Sequence, residues 1–252
     1  MMVKKIVACL DCKNGKLVKG IQFSNIKEID NPVERARYYL EKGIDEIIYY
    51  DITASLEGRK NQMDTAKKIG IYCSKFNVPF TVGGGISTLE DVESALQNGA
   101  SKVSINSAAI KKPRFIQEAA LKYGSEKIVA AIDVKKEGSS WSIYSKGGQE
   151  NTHLNAVAFA KQLEKSGAGE LCVNSIDSDG KKSGYDLELI ETLASNLNIP
   201  IIASGGAGIK EDFKNAFEKG AASALGASVF HFNEVDIYEL KNYLKLNNVE
   251  IC

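Results

Sequence analysis

The sequence is short of the residues that mark several protein classes. It has two histidines, one tryptophan and four prolines, and its 32 basic and 32 acidic side chains cancel. Without a basic excess it lacks the electrostatic footprint of a nucleic-acid binder, and without an acidic one it is not a solvated tail. No apolar run approaches the roughly 20 residues that a membrane-spanning helix needs, so no membrane partner is expected. The opening stretch runs from two lysines through a few apolar residues straight into Asp11. That is too short for a signal-peptide core and reads as the first strand of a soluble, cytoplasmic protein. Cys9, Cys12, Cys73, Cys172 and Cys252 are few and odd in number, which suits thiols in a reducing compartment rather than a disulfide framework. Cys9 and Cys12 have the spacing of a redox pair, but Lys-Asn-Gly follows, a turn signal where such a pair would open a helix. With so little histidine and no second CxxC pair, a tetrahedral zinc site is poorly supplied.

What is present is rhythm. Eight β-rich runs, at 5–11, 45–52, 78–84, 102–106, 127–134, 169–176, 199–206 and 222–229, alternate with amphipathic stretches. Asn31 followed by Pro32 reads as a helix cap and first turn, as do Ser87 and Thr88 followed by acids. Gly43, Gly99, Gly167 and Gly220 fall where helices should stop. Eight strand-helix units in 252 residues fit a single (β/α)8 TIM barrel, an α/β fold, with an open doubly wound sheet as the alternative. An internal repeat favours the barrel. Lys5-Ile-Val-Ala recurs as Lys127-Ile-Val-Ala and Asp11 as Asp133, while Gly84-Gly85 recurs as Gly205-Gly206 and Ser107 as Ser228. Two homologous half-barrels, about 1–122 and 123–252, close naturally into one ring, whereas an open sheet has edges that break the equivalence. One domain over 1–252 with no linker is expected.

In such a barrel, polar residues that end apolar strands carry the chemistry. Asp11 and Asp133 do so at matching positions of barrel strands one and five, which puts two carboxylates across one mouth. Strand alternation sends Val7, Cys9 and Asp11 to one face, the better candidate for the crowded interior. A carboxylate pair in one apolar cavity suits acid/base catalysis, because environment can separate the two pKa values. Val82-Gly-Gly-Gly-Ile and Ser204-Gly-Gly-Ala-Gly each precede a helix, where bare backbone N–H groups can receive an anion. Strand four adds Asn106 and Ser107 to Gly84 and Gly85, and strand eight adds Ala227 and Ser228 to Gly205 and Gly206. Two such seats imply a small-molecule substrate with a phosphate at each end. The loops around Gly58 and around Asp179 and Gly180 lie at the same rim, and Lys19, in a loop from Asn14 to Gly20, is a candidate phosphate contact. Tyr38, Tyr39, Tyr49 and Tyr50 read as packing residues, and His231 and Trp141 have no evident partner.

These motifs, with Lys102-Val-Ser-Ile-Asn-Ser, Gly184-Tyr-Asp and Ala227-Ser-Val-Phe-His, resemble the cyclase subunits of imidazole glycerol phosphate synthase, from end to end of the chain. The stretch 51–60 is the most specific, because the sister isomerase of the same pathway differs there. The resemblance implies a heterodimer with a glutaminase that supplies ammonia. It implies conversion of a bis-phosphorylated ribulosyl-formimino aminoimidazole carboxamide ribonucleotide to imidazole glycerol phosphate and an aminoimidazole carboxamide ribotide. It makes Asp11 and Asp133 the acid/base pair and implies no metal or redox cofactor. It assigns phosphate or substrate contacts to Asp51, Gly85, Asn106, Ser107, Ser145, Asp179, Gly180, Gly206, Ala227 and Ser228. Lys5, Glu46, Lys102 and Glu170 match a charged gate for ammonia at the barrel floor. The chain departs from the family pattern at Lys5, where arginine is common, at Ser101 and at Asn174, where many members have threonine. Two other readings stay open, the sister isomerase and a non-catalytic scaffold that delivers ammonia.

Overall fold

The computed structural model describes residues 3–21, 24–55 and 57–252, and of residues 19–21 and 24–27 the backbone alone. The strands are β1 (Lys5–Lys13), β2 (Lys16–Ile21), β3 (Ser24–Asp30), β4 (Glu46–Asp51), β5 (Phe80–Gly83) and β6 (Lys102–Ile105), then β7 (Ile128–Glu137), β8 (Ser140–Ser145), β9 (Glu150–Asn155), β10 (Glu170–Ser175), β11 (Ile201–Ser204) and β12 (Ser223–Gly226). Between them run α1 (Pro32–Glu41), α2 (Met63–Lys75), α3 (Leu89–Gln97), α4 (Ser107–Lys111), α5 (Arg114–Tyr123), α6 (Ala156–Lys165), α7 (Leu187–Ala194), α8 (Lys210–Glu218), α9 (Ser228–His231) and α10 (Ile237–Leu246).

Strands β1, β4, β5, β6, β7, β10, β11 and β12 pair in parallel, each with the next, and β12 pairs back onto β1. The result is a closed (β/α)8 barrel, and its eight strands are the eight read from the sequence. A closed ring leaves β1 and β7, the carriers of Asp11 and Asp133, four strands apart. Local signals act as expected. Asn31 accepts hydrogen bonds from the backbone N–H groups of Val33 and Glu34, with Pro32 opening α1. Thr88 and Asp91 form a reciprocal capping box on α3. Gly43, Gly99, Gly167 and Gly220 take positive φ just past α1, α3, α6 and α8.

Alternation along the strands sorts two cores. Ile6, Ala8 and Leu10 face outward to the helices. Val7, Cys9, Ile48, Val129, Ala131, Cys172, Ile202 and Leu225 fill the barrel interior, so the ring is a packed plug rather than a pore. All five cysteines are thiols, and only Cys252 is exposed. Among the described residues no helix is long and apolar enough to cross a membrane.

Two antiparallel hairpins depart from the plain strand-helix alternation. The segment from Asn14 to Gly20, read as a loop, instead turns at Asn14 and Gly15, both at positive φ, and returns as β2 in register with β1. An Asn-Gly pair is the preferred two-residue hairpin turn, so the signal was present. On the opposite side β7 runs on into β8 and β9. Both hairpins grow from the C-terminal ends of their barrel strands, the end where functional residues of this fold gather.

Candidate active site

A cavity of about 690 Å³ opens at the C-terminal ends of the barrel strands, a size suited to a metabolite-sized ligand. Asp11 and Asp133 both line it, and both are half-buried. Their surroundings differ. Asp11 Oδ1 accepts a 3.3 Å hydrogen bond from the Cys9 thiol. Asp133 is held on both oxygens, with the Asn106 side-chain amide donating to Oδ2 at 2.9 Å and that of Asn174 to Oδ1 at 3.0 Å. Burial pushes the Asp133 pKa above the usual carboxylate value; the two amide donors oppose this, and the charges of Asp179 and Asp11 add to it. A carboxyl raised in this way can exchange a proton nearer neutral pH than an exposed one.

On one rim Gly84, Asn106 and Ser107 line the cavity, and on the opposite rim Gly205, Gly206, Ala227 and Ser228 do. These belong to barrel strands three and four and to strands seven and eight, half a turn of the ring apart. Glycine is required in both loops. A Cβ on Gly84, at φ +86°, would stand 2.1 Å from the Asp51 carbonyl oxygen, and one on Gly206, at φ +109°, would stand 2.0 Å from that of Gly184. The Asn61 side-chain amide braces the first loop by donating to the carbonyls of Gly83 and Gly84 at 2.7 and 2.9 Å. Asp212 braces the second by accepting from the Gly208 and Ile209 N–H groups at 2.8 and 2.9 Å. Backbone conformations match as well: Asn106 and Ala227, each just before a short helix, have φ,ψ of −114°, −86° and −121°, −83°. Gly85 does not line the cavity; its α-carbon packs towards Ala54 and the Arg59 carbonyl.

Asp179 and Gly180 also line the cavity, as do Asp51 and Ser145. Asp51 is only 2% exposed. Arg59 holds it with two N–H groups at 2.6 and 2.8 Å, and the backbone N–H groups of Ala54 and Gln62 donate to it at 3.2 Å. The hydrogen bonds to Asp51 in turn hold the Arg59 guanidinium above its ordinary pKa. With both oxygens engaged, Asp51 ties the end of β4 to Arg59 and Gln62. Ser145 ends β8, where its hydroxyl donates to Glu150 at 3.2 Å. Lys19 belongs to β2, and its side chain lies outside the described residues.

Several lining residues were not singled out in the sequence. Lys146, Gln149 and Asn151 come from the β8–β9 hairpin, which covers one side of the mouth. Tyr50, read as packing, does pack against the barrel interior, and it also turns its hydroxyl inward, 2.9 Å from the Ser104 hydroxyl. Burial holds its pKa far above the tyrosine value, so it stays a neutral phenol. Trp141 and His231 lie away from the cavity and do have partners. The Trp141 indole donates to Asp186 at 2.9 Å, and His231 Nδ1 meets the Tyr39 hydroxyl at 2.5 Å.

At the other end of the barrel Lys5, Glu46, Lys102 and Glu170 meet. Lys102 Nζ lies 2.6 Å from Glu46 and 2.9 Å from Glu170, while Lys5 stands 3.8 Å from Glu46. The Thr81 hydroxyl donates to Glu46 at 2.9 Å. Burial works against the Lys102 ammonium, but the charges of Glu46 and Glu170 outweigh it and raise its pKa above the ordinary lysine value. Among the described residues Lys5 makes only its one long contact with Glu46, which leaves Lys102 the main counter-ion of the cluster.

The chain is similar to known proteins over its whole length. The family profile described as "Histidine biosynthesis protein" matches residues 5–236. A Hydrogenobaculum protein named "Imidazole glycerol phosphate synthase subunit HisF" is 51% identical over 100% of this chain and 99% of its own length. Proteins with the same name from Natranaerobius thermophilus and Thermococcus onnurineus are 47% and 45% identical, each over 100% of this chain and 99% and 98% of their own. A closed barrel, a carboxylate pair at its mouth and full-length identity of this order lead to one conclusion: the chain belongs to the histidine biosynthesis family, within it to the cyclase subunits of imidazole glycerol phosphate synthase.

Proposed function

We propose that the cavity takes a bis-phosphorylated ribulosyl-formimino aminoimidazole carboxamide ribonucleotide and joins it to ammonia, giving imidazole glycerol phosphate and an aminoimidazole carboxamide ribotide. The observation that carries this reading is the order of groups across the mouth: a glycine-braced loop, two carboxylates and a second glycine-braced loop, all on one 690 Å³ cavity. One phosphate would rest against Gly84, Asn106 and Ser107, and the other against Gly180, Gly205, Gly206, Ala227 and Ser228. Backbone N–H groups at the helix starts favour anions there. Asp51 would shape the rim, Ser145 would contact the substrate, Asp179 would join the second phosphate seat, and Lys19 is a candidate phosphate contact.

The ketone would then lie over Asp11 and Asp133. As ammonia adds to the carbonyl carbon, one carboxyl group gives a proton to the oxygen that leaves as water, and one carboxylate takes a proton from the new nitrogen. The same pair would move protons as the C–N bond to the ribotide breaks and as the new nitrogen closes the imidazole ring. Fixing both ends of the substrate keeps the reacting atoms between the two carboxylates and lowers the entropic part of the barrel's task.

The relatives are named as subunits, which supports a partner chain; we assign that partner as a glutaminase seated at the floor, forming a heterodimer. The apolar plug above the floor favours passage of neutral ammonia over ammonium. The buried thiols fit a cytoplasmic protein. The repeat at matched positions of β1 and β7 supports an origin in two half-barrels, 1–122 and 123–252, within one domain. Purified protein is expected to consume the ribulosyl substrate with an ammonium salt at alkaline pH. Turnover of the aldose precursor without ammonia, and none of the ribulosyl form, would assign the chain to the isomerase instead. Absence of both in a folded sample would leave only a scaffold.

A further inference from the structure

The two mouth carboxylates occupy matching backbone positions, but the rows of side chains beside them do not match. Asp133 on β7 is in register with Asn174 on β10, and Asn174 with Ser204 on β11. The Ser204 hydroxyl donates to Asn174 Oδ1 at 3.2 Å, and Asn174 Nδ2 donates to Asp133 Oδ1 at 3.0 Å. On the other side of the ring Asp11 is in register with Tyr50 and Tyr50 with Gly83, and the Tyr50 hydroxyl is turned to Ser104.

The amide orientation at Asn174 follows from chemistry. Reversing it would set its oxygen against the Asp133 carboxylate and its NH₂ against the Ser204 hydroxyl, which would then have to accept. The backbone closes over this amide: a Cβ on Gly205 would lie 2.9 Å from Asn174 Oδ1. A donor in a fixed rotamer therefore points at one oxygen of Asp133, while Asn106 takes the other at 2.9 Å.

We infer that Asn174, held by Ser204, is a positioning residue for the reaction: it aims the Asp133 carboxylate at the substrate and stabilises that group's ionised form. The inference rests on the reading of Asp133 as half of the acid/base pair. Its consequence for pH is definite in sign. The titratable groups facing Asp133 are Asp11 on β1, Asp179 in the loop after β10 and Cys172 on β10. The Cys172 thiol is pushed up to about 12 by burial and stays neutral, so it offers no compensating charge. Burial and the two acids raise the Asp133 pKa, and the Asn174 and Asn106 donors oppose them. Removing the Asn174 donor raises it further, so less carboxylate is present at a given pH.

The test compares wild type with Asn174→Leu and Ser204→Ala, by ammonium-dependent turnover across pH and by a ¹³C-carboxyl titration of Asp133 assigned with Asp133→Asn. In Asn174→Leu the Asp133 titration and the acid limb of kcat are expected to move up by about one pH unit, with kcat at pH 7 reduced about tenfold and KM within about threefold. Ser204→Ala is expected to move both in the same direction by less, and it carries the test if the leucine variant does not fold. Adding Asn174→Leu to Asp133→Asn should change the residual rate less than about twofold. An unmoved Asp133 titration in both variants overturns the inference, as does an equal fold-loss in the Asp133→Asn background. Wild-type protein without turnover overturns the reading beneath it, and is told apart because the carboxyl titration needs no activity.

Discussion

Asp133→Asn is expected to lower ammonium-dependent turnover by about a thousandfold, and Asp11→Asn by a similar factor, within the range for loss of a general acid/base group. The substitution keeps size and shape, so the cavity and both glycine-rich loops should remain. Substrate affinity, measured by calorimetry, is expected to stay within about threefold, because the phosphates would sit on other strands. The Asp133 change has a further consequence for its neighbours. Asn106 and Asn174 both donate to the carboxylate, and a carboxamide has only one oxygen to receive them. One of the two amides must turn away. Stability at neutral pH should nevertheless be little reduced. The folded pKa of Asp133 is raised by burial, so the ionised group costs stability above that pKa, and asparagine removes the cost. A large kinetic loss with near-native unfolding is the combined signature, and near-normal kcat in either variant would remove that residue from catalysis.

Lys102→Met is expected to destabilise the protein by about 3–5 kcal/mol, the magnitude seen when one partner of a buried ion pair is removed. Glu46 is 1% exposed, and without Lys102 its only cation among the described residues is Lys5, 3.8 Å away and itself about one-third exposed. Glu170 loses its 2.9 Å partner at the same time. For a chain of this size that change lowers the unfolding midpoint by roughly 10 °C. Glu46→Gln in the same background should restore part of the loss, since it removes the stranded charge and can still accept from Thr81. The pH dependence has a known direction. The Lys102 pKa is raised above 10.5, so its contribution is complete below the unfolded value and is lost only as pH climbs through the folded one. Unfolding at pH 6 and pH 8 should therefore show the same difference between wild type and variant. If the floor also admits ammonia, turnover with added ammonium salt should survive in this variant better than turnover driven by glutamine through the partner.

The barrel was legible because its signals are local. A β-rich run, a capping residue such as Asn31 and a terminating glycine such as Gly43 each act within a few residues, and eight such runs alternating with helical stretches leave few architectures. Asp11 and Asp133 were legible because alternation along one strand decides which side chains face inward. What escaped depends on lateral register between strands. That Asn174 stands beside Asp133, and Ser204 beside Asn174, follows from pairing of β7 with β10 and of β10 with β11, which no spacing along the chain reports. In the sequence Asn174 registers only as a departure from threonine. Asp51 was named as a substrate contact, but its pairing with Arg59 was not legible, because it is made in space and no spacing along the chain reports it. The β8–β9 cover over the mouth was missed because β9 is polar and largely exposed, so that the short alternation of β8, with Trp141 and Ile143 buried, had no apolar partner strand beside it in the sequence.

The most direct measurement is turnover of the bis-phosphorylated ribulosyl substrate with ¹⁵N-ammonium, followed by NMR of the products. The expected result is one labelled ring nitrogen in imidazole glycerol phosphate, with an equimolar amount of unlabelled aminoimidazole carboxamide ribotide, and neither product from Asp133→Asn on the same time scale. An unlabelled imidazole product, or unchanged substrate with folded wild-type protein, would contradict the assignment.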